Sequence, residues 1–258
     1  MRSLIQLEVH GNLLTGSIPV EFYEGTLRLQ NLNVGDNALS GQLDTRIGLM
    51  TQLKGLHIYS NNLNGSFPTE VGSLSTLSFM RVYGNEFSGA VPTELANLRQ
   101  LSELWLDENI FSGTIPSEFG QFTRLQDLRF TGNRMSGTIP NELYNLSKLT
   151  YLFLDNMRLT GTLSPLVAQL SDLQALRVSS NQLTGTIPSE ISLLTILGQV
   201  LLHNNTFTGQ VPDDICGLRP EPLVSLQADC FPVENPANPC RCCTACCDRD
   251  LQTCGVTN

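Results

Sequence analysis

The residues best able to do chemistry in this sequence gather around its single tryptophan, Trp105. Glu103, Asp107 and Asp127 lie close enough in the chain to form the carboxylate pair that glycoside hydrolysis needs. Arg81 and Arg129 flank them, and Tyr59, Phe79, Tyr83, Tyr151 and Phe153 add aromatic rings. Three histidines, His10, His57 and His203, could serve as acid–base groups. Eight cysteines, Cys216, Cys230, Cys240, Cys242, Cys243, Cys246, Cys247 and Cys254, could pair as disulfides or hold a metal as thiolates. Which of these groups meet depends on the elements that carry them.

Those elements repeat. Leu98 to Pro116 reads LRQLSELWLDENIFSGTIP, and nearly all of the chain up to Pro212 varies on it. The unit can be counted from its asparagine: Asn12, Asn37, Asn61, Asn85, Asn109, Asn133, Asn181 and Asn205, spaced 25 once and otherwise in multiples of 24. Met157 stands where one more would fall. A fixed period in this range, with Leu-x-x-Leu-x-Leu-x-x-Asn in each unit, is the signature of a leucine-rich-repeat solenoid of the α/β class. Leu104 and Leu106 are two apart and share one face of a short strand. The asparagine that follows can give and accept backbone hydrogen bonds at the turn, so the column of asparagines is expected to form a ladder. Gly113 permits a backbone conformation closed to other residues, and Pro116 fixes an extended bend on the far side. One unit cannot bury its leucines alone, but stacked units can. Nine repeats over residues 1–215 and a C-terminal cap with a Cys-rich tail over 216–258 are therefore expected. At the irregular seventh unit, Asn156 is expected to stand in partly for the missing ladder residue.

Between the core leucines, three positions per strand face outward on the concave side, lying six, four and two residues before the ladder asparagine. They form columns that contain His57, Tyr59, Phe79, Arg81, Tyr83, Glu103, Trp105, Asp107, Asp127, Arg129, Tyr151, Phe153, Asp155 and Arg177. Aromatics and arginine interleaved with acids are the composition of a recognition surface, and these residues are the candidate ligand-binding set. Catalysis is not expected. His57 and His203 sit six repeats apart, roughly 29 Å at ~4.8 Å per strand. On an open sheet the three carboxylates would lack the apolar pocket that raises an acid's pKa, and Arg81 and Arg129 read as their partners in solvated ion pairs. No cofactor is implied.

The net charge of -9 argues against nucleic acid or an anionic membrane as the main partner. No apolar run approaches the ~20 residues that cross a bilayer, and the N-terminus lacks the apolar stretch of a signal peptide. Met1, Leu4 and Leu7 fall at core positions of a repeat already under way. The solenoid is thus expected to begin mid-array, with further repeats or a partner covering its open end.

In the tail, Val224, Leu226 and Asp229 sit where a tenth strand and its turn residue would fall. The cysteine spacing does not make two Cys-x-x-Cys pairs around a finger loop, and the tail holds no histidine. Disulfides are expected over zinc, which implies an oxidising compartment. Three Asn-x-Ser/Thr sequons, at Asn64, Asn145 and Asn204, suit an extracellular glycoprotein.

The Leu-x-Gly-x-Ile-Pro continuation resembles the plant-type extracellular leucine-rich repeats of receptor-like proteins, receptor-like kinase ectodomains and polygalacturonase-inhibiting proteins. The resemblance covers about four fifths of the chain and implies a right-handed horseshoe or superhelix with a concave parallel sheet that binds proteins, peptides or glycans. The Cys-rich tail departs from the simple Cys-pair cap of those proteins, and no kinase motif is present. The expected function is non-enzymatic recognition at the cell surface or outside the cell. The alternatives are a structural or surface-adsorbing matrix protein, in which the array itself is the function, and an inhibitor of a secreted hydrolase.

Overall fold

The computed structural model describes residues 3–218, 223–229, 243–248 and 253–256; of 245–248 and 253–256 only the backbone is described. Each 24-residue unit contributes one three-residue strand to a single sheet. In Glu103–Trp105 the middle residue, Leu104, is fully buried, and its neighbours face out. Every unit repeats that alternation at the same offset, so successive strands pair in parallel with no slip. Leu128 stands beside Leu104 and Arg129 beside Trp105, and the next pairing sets Phe153 beside Arg129. The sheet has twelve strands among the described residues, running in chain order from Gln6–Glu8 to Thr253–Val256. All pairings are parallel except the last, between Ala245–Asp248 and Thr253–Val256. The result is the right-handed leucine-rich-repeat solenoid that the period predicts.

The convex side is made of short 3-10 turns such as Thr93–Asn97 and Asn141–Asn145, each usually entered through an extended proline. The one 25-residue unit differs here alone. Its convex segment is an α-helix, Val20–Gly25, while the concave register stays intact at Gln6 against Asn31. A lateral sheet lies beyond the ladder. It runs unbroken through five strands from Thr15–Gly16 to Ile110–Ser112, then continues as two separate pairs.

Between the sheets, asparagine side chains tie one unit to the next. Asn85 donates through Nδ2 to the carbonyls of Ile58, Val82 and Tyr83, and its Oδ1 accepts the Leu63 amide at 3.0 Å. Asn61, Asn109 and Asn181 repeat the pattern. At the seventh unit Met157 cannot accept, and the amide of buried Met135 has no acceptor among the described residues. The expectation that Asn156 fills this gap fails. Its side chain is exposed and unbonded, and it occupies the left-handed position (φ 52) that Ser60 and Glu108 occupy in other units.

The core is one continuous column of leucine, isoleucine, valine and phenylalanine with stacked phenylalanines Phe87 and Phe111. At the N-terminal end the edge strand has a neighbour on one side only, and Leu13 and Ile5 are 92% and 55% exposed. At the other end Ser225–Asp229 adds a tenth parallel strand. Leu226 is buried there and the Asp229 carboxylate accepts the amides of Asn204 and Asn205. Val224, by contrast, is exposed, because the strand pairs two residues later than the 24-residue period places it: Leu226, not Val224, stands beside Val200. No helix among the described residues is long and apolar enough to cross a membrane.

Candidate ligand-binding face on the concave sheet

Parallel in-register pairing turns each outward position into a straight column of side chains about 4.8 Å apart. In the column four residues before the ladder, this spacing stacks arginine on aromatic ring without interruption. The Arg81 guanidinium lies 4.3 Å from the Trp105 ring centre, and that of Arg129 lies 4.1 Å from it. Arg129 also covers Phe153 at 4.7 Å, with Arg177 on the other side of that ring at 4.6 Å. Cation–π attraction of this kind contributes about 0.5–2 kcal/mol per contact, more as water is excluded.

Each arginine is fixed by an acid. Arg81 donates through Nε and Nη2 to one Glu103 oxygen at 3.0 and 2.7 Å. Arg129 grips both Asp127 oxygens, at 2.8 and 2.7 Å. Arg177 pairs with Asp155 at 2.9 Å, although the approach is too oblique for a hydrogen bond. Asp155 is buried, and its other oxygen accepts both the amide and the hydroxyl of Ser179. Asp127 is buried too. The expectation of solvated pairs is corrected for Arg129, whose guanidinium lies between the Trp105 and Phe153 rings and whose partner is buried, while Arg81 with Glu103 stays partly exposed.

The column two residues before the ladder carries a second stack. Tyr59 and Tyr83 lie parallel, 4.9 Å apart, and Tyr83 leans on Trp105 at 6.0 Å. The far face of Tyr59 rests on Gly35, where a Cβ would come within 2.5 Å of the ring. His57 packs against Gly55 in the same way, and burial, aided by Arg81, lowers its pKa. Burial likewise lowers that of His203. Phe79 is exposed and stands outside the stack, beside Glu103 in register. Tyr151 packs edge-on against Phe153 and donates to Gln174.

Asp107 stands apart from the other acids. One oxygen accepts the Thr131 amide at 2.9 Å, and Asp107 forms no ion pair among the described residues. Burial pushes its carboxyl up to about 7 against the pull of that amide and of Arg129. The expectation that no carboxylate on this open sheet would be raised is thus overturned, because the arginine–aromatic stack itself forms the apolar wall. Asp107, Tyr83, Trp105, Arg129, Phe153 and Thr131, with Glu108 and Arg177, line an open pocket of about 390 Å³. The buried Trp105 Nε1 has no hydrogen-bond partner among the described residues. Gly35, Thr131 and Glu108 were not among the sequence candidates. Gly35 seats a ring and Thr131 binds through its backbone, and neither role is written in residue type.

The sequons and cysteines lie elsewhere. Asn145 is exposed at the end of a convex turn, while Asn64 is half-buried in a lateral strand. Asn204 has φ 56 and donates to Ser180 beside the concave sheet. Cys216 and Cys243 are disulfide-bonded. Cys230, Cys240 and Cys242 lie outside the described residues, and Cys246, Cys247 and Cys254 fall where only the backbone is described.

A family profile described as a leucine-rich repeat region matches residues 2–182, and a single leucine-rich repeat matches 172–194. No curated protein sequence matches. Among solved structures, the chain resembles the ectodomain of the Arabidopsis thaliana membrane receptor kinase GASSHO1/SCHENGEN3, determined with CASPARIAN STRIP INTEGRITY FACTOR 2. Identity is 33% with a TM-score of 0.83, over 88% of this chain and 27% of that one. The ectodomain of the Arabidopsis receptor kinase HAESA, solved with an extended IDA peptide hormone, gives 30% and 0.82 over 88% and 38%. A plant ice-binding protein, at 24% identity and a TM-score of 0.65, shares the fold. The chain spans between about a quarter and two fifths of the length of these receptor ectodomains. Repeat period, sheet and profile agree: the chain belongs to the leucine-rich-repeat family, with repeats of the plant receptor-ectodomain type.

Proposed function

We propose that this chain is a non-enzymatic recognition module that binds a peptide or protein on its concave sheet, outside the cell. The observation that carries this reading is the stack from Arg81 to Arg177 with the pocket beside it. A set of side chains already locked by rings and ion pairs loses little freedom on binding, which favours affinity. Two structural neighbours were solved with a peptide or protein ligand bound, which agrees with it. A peptide is favoured over a glycan. Both faces of Trp105, Phe153 and Tyr59 are covered within the protein, so none of these three rings offers a free face to a sugar, whereas polar edges remain for a peptide backbone. The disulfides at Cys216 and Cys243 and the exposed sequon at Asn145 support an oxidising, glycosylating route to the surface.

The test is to select peptides from a random displayed library on the full chain and measure them against Trp105→Ala and Phe153→Ala by fluorescence anisotropy. A loss of about tenfold or more in affinity is expected for residues at the centre of an interface. Unchanged affinity for both variants would sink the concave reading. A second reading, adsorption to an extended surface, draws on the lateral sheet. At or just beyond its strands Thr114, Thr138, Thr162 and Thr186 recur at one exposed position in successive units. It requires that loss of adsorption be spread evenly over these four positions, with Trp105→Ala silent.

A further inference from the structure

The concave pocket is lined by two acids that have no ion pair among the described residues, Asp107 within it and the exposed Glu108 at its rim. Around it, Arg129 is bound to Asp127 and Arg177 is paired with Asp155. Asp107 accepts the Thr131 amide on one oxygen and is also drawn on by its own backbone amide, and neither it nor Glu108 beside it forms an ion pair among the described residues. When Asp107 is ionised, two guanidiniums face four carboxylates. Tyr83 on the preceding strand and Phe153 on the far wall bring no charge at neutral pH. The local excess is negative and the whole chain carries -9, so a cationic group is drawn in at long range as well as at contact. The pocket, at about 390 Å³, has room for one long side chain.

Resting on the concave-face reading, we infer that the pocket receives a basic group of the ligand, a lysine or arginine side chain or a peptide α-amine, and that Asp107 is the residue that pairs with it. The stem of such a side chain would lie along the edges of Trp105 and Phe153, and its charged end would meet the open Asp107 oxygen. Pairing requires the ionised acid. In the free protein burial holds that acid near pH 7, so binding releases a proton below neutrality and weakens as pH falls.

Trp105 is the only tryptophan, so its fluorescence reports this pocket alone. The experiment titrates N-acetyl-L-arginine amide and N-acetyl-L-glutamic acid amide into the full chain at pH 5, 6, 7 and 8, reading Trp105 emission. The arginine probe is expected to bind, with Kd rising about tenfold per pH unit below 7, and the glutamate probe to give no saturable change. Asp107→Asn keeps an acceptor for the Thr131 amide while removing the charge. It is expected to weaken the arginine probe about tenfold or more at pH 8 and to flatten its pH dependence. Preference for the glutamate probe, no response to the arginine probe, or unchanged arginine binding in Asp107→Asn overturns the assignment. The concave reading is judged separately. Selected peptides that lose affinity in Trp105→Ala but carry no basic residue would overturn the basic-group assignment and leave the reading standing.

Discussion

The fifth and seventh units share a plan and differ at two linked places. In the fifth, Asn109 completes the ladder, accepting the Phe87 amide and donating to the carbonyls of Val82, Leu106 and Asp107. In the seventh, Met157 leaves the Met135 amide without an acceptor among the described residues. The lateral sheet does not follow this difference: its five-stranded run ends in the fifth unit at Ile110–Ser112, and across the gap Ser136–Gly137 still pairs with Arg158–Leu159. The acids two residues upstream differ in the opposite sense. Asp155, beside the gap, accepts twice from Ser179 on one oxygen and forms an ion pair with Arg177 through the other, whereas Asp107, beside the intact ladder, is left with one open oxygen and no ion pair among the described residues. An intact rung and an open acid coincide in the fifth unit, one place before the middle of the stack at Arg129. The lesson is that the scaffold tolerates one missing rung because its neighbours and its core remain, and that a strand with its full rung can carry an acid in an unfavourable state.

The contrast can be broken most strongly at the ladder. Asn109→Leu should cost about 3–4 kcal/mol in urea unfolding, since it strands the buried Phe87 amide and removes three donated bonds. A cost below about 1 kcal/mol would show that the ladder is dispensable in regular units too. Next comes the engaged acid. Ser179→Ala removes a 2.6 Å hydroxyl donor from the buried Asp155 carboxylate. It should destabilise by about 2 kcal/mol, as expected for a hydrogen bond to a charged group. The open acid should behave in reverse. Its folded-state value of about 7 lies above the ordinary 3.8. The folded chain therefore keeps a proton that the unfolded chain loses between about pH 4 and 7, and the stability from this group falls as pH rises through that window. Asp107→Asn should raise stability by about 1–2 kcal/mol at pH 8, after discounting for partial exposure, and by nothing below about pH 4. The smallest change would repair the gap. Met157→Asn should gain about 1 kcal/mol net of the lost methionine burial. It should also slow hydrogen exchange at the Met135 amide, a readout that fails to move if the new side chain does not reach it.

The fold was legible because its signal is redundant. Leu104 and Leu106 say little alone, but the same spacing recurring unit after unit admits one packing. The columns followed from the same arithmetic, which is why the sequence could place Arg81, Trp105, Arg129 and Phe153 side by side. What the columns could not disclose was direction within the face. Arg81 leans to the acid of the next unit, Arg129 to its own, and Arg177 to that of the unit before. These choices leave Asp107 without an arginine partner. They depend on rotamers and on burial created jointly by several units, and residue type encodes neither. The misreading of Asn156 had the same origin. An asparagine one position early looks like a shifted rung, but its left-handed backbone turns the side chain to solvent.

The extra residue of the 25-residue unit is absorbed in the helix Val20–Gly25, and the sheet keeps its pairing. Length changes on the outer bend are thereby insulated from the inner surface. Such a molecule can be lengthened by whole units, or varied along its outer rim, while every inward-facing row stays aligned. Its recognition surface can be edited one side chain at a time without renegotiating the frame.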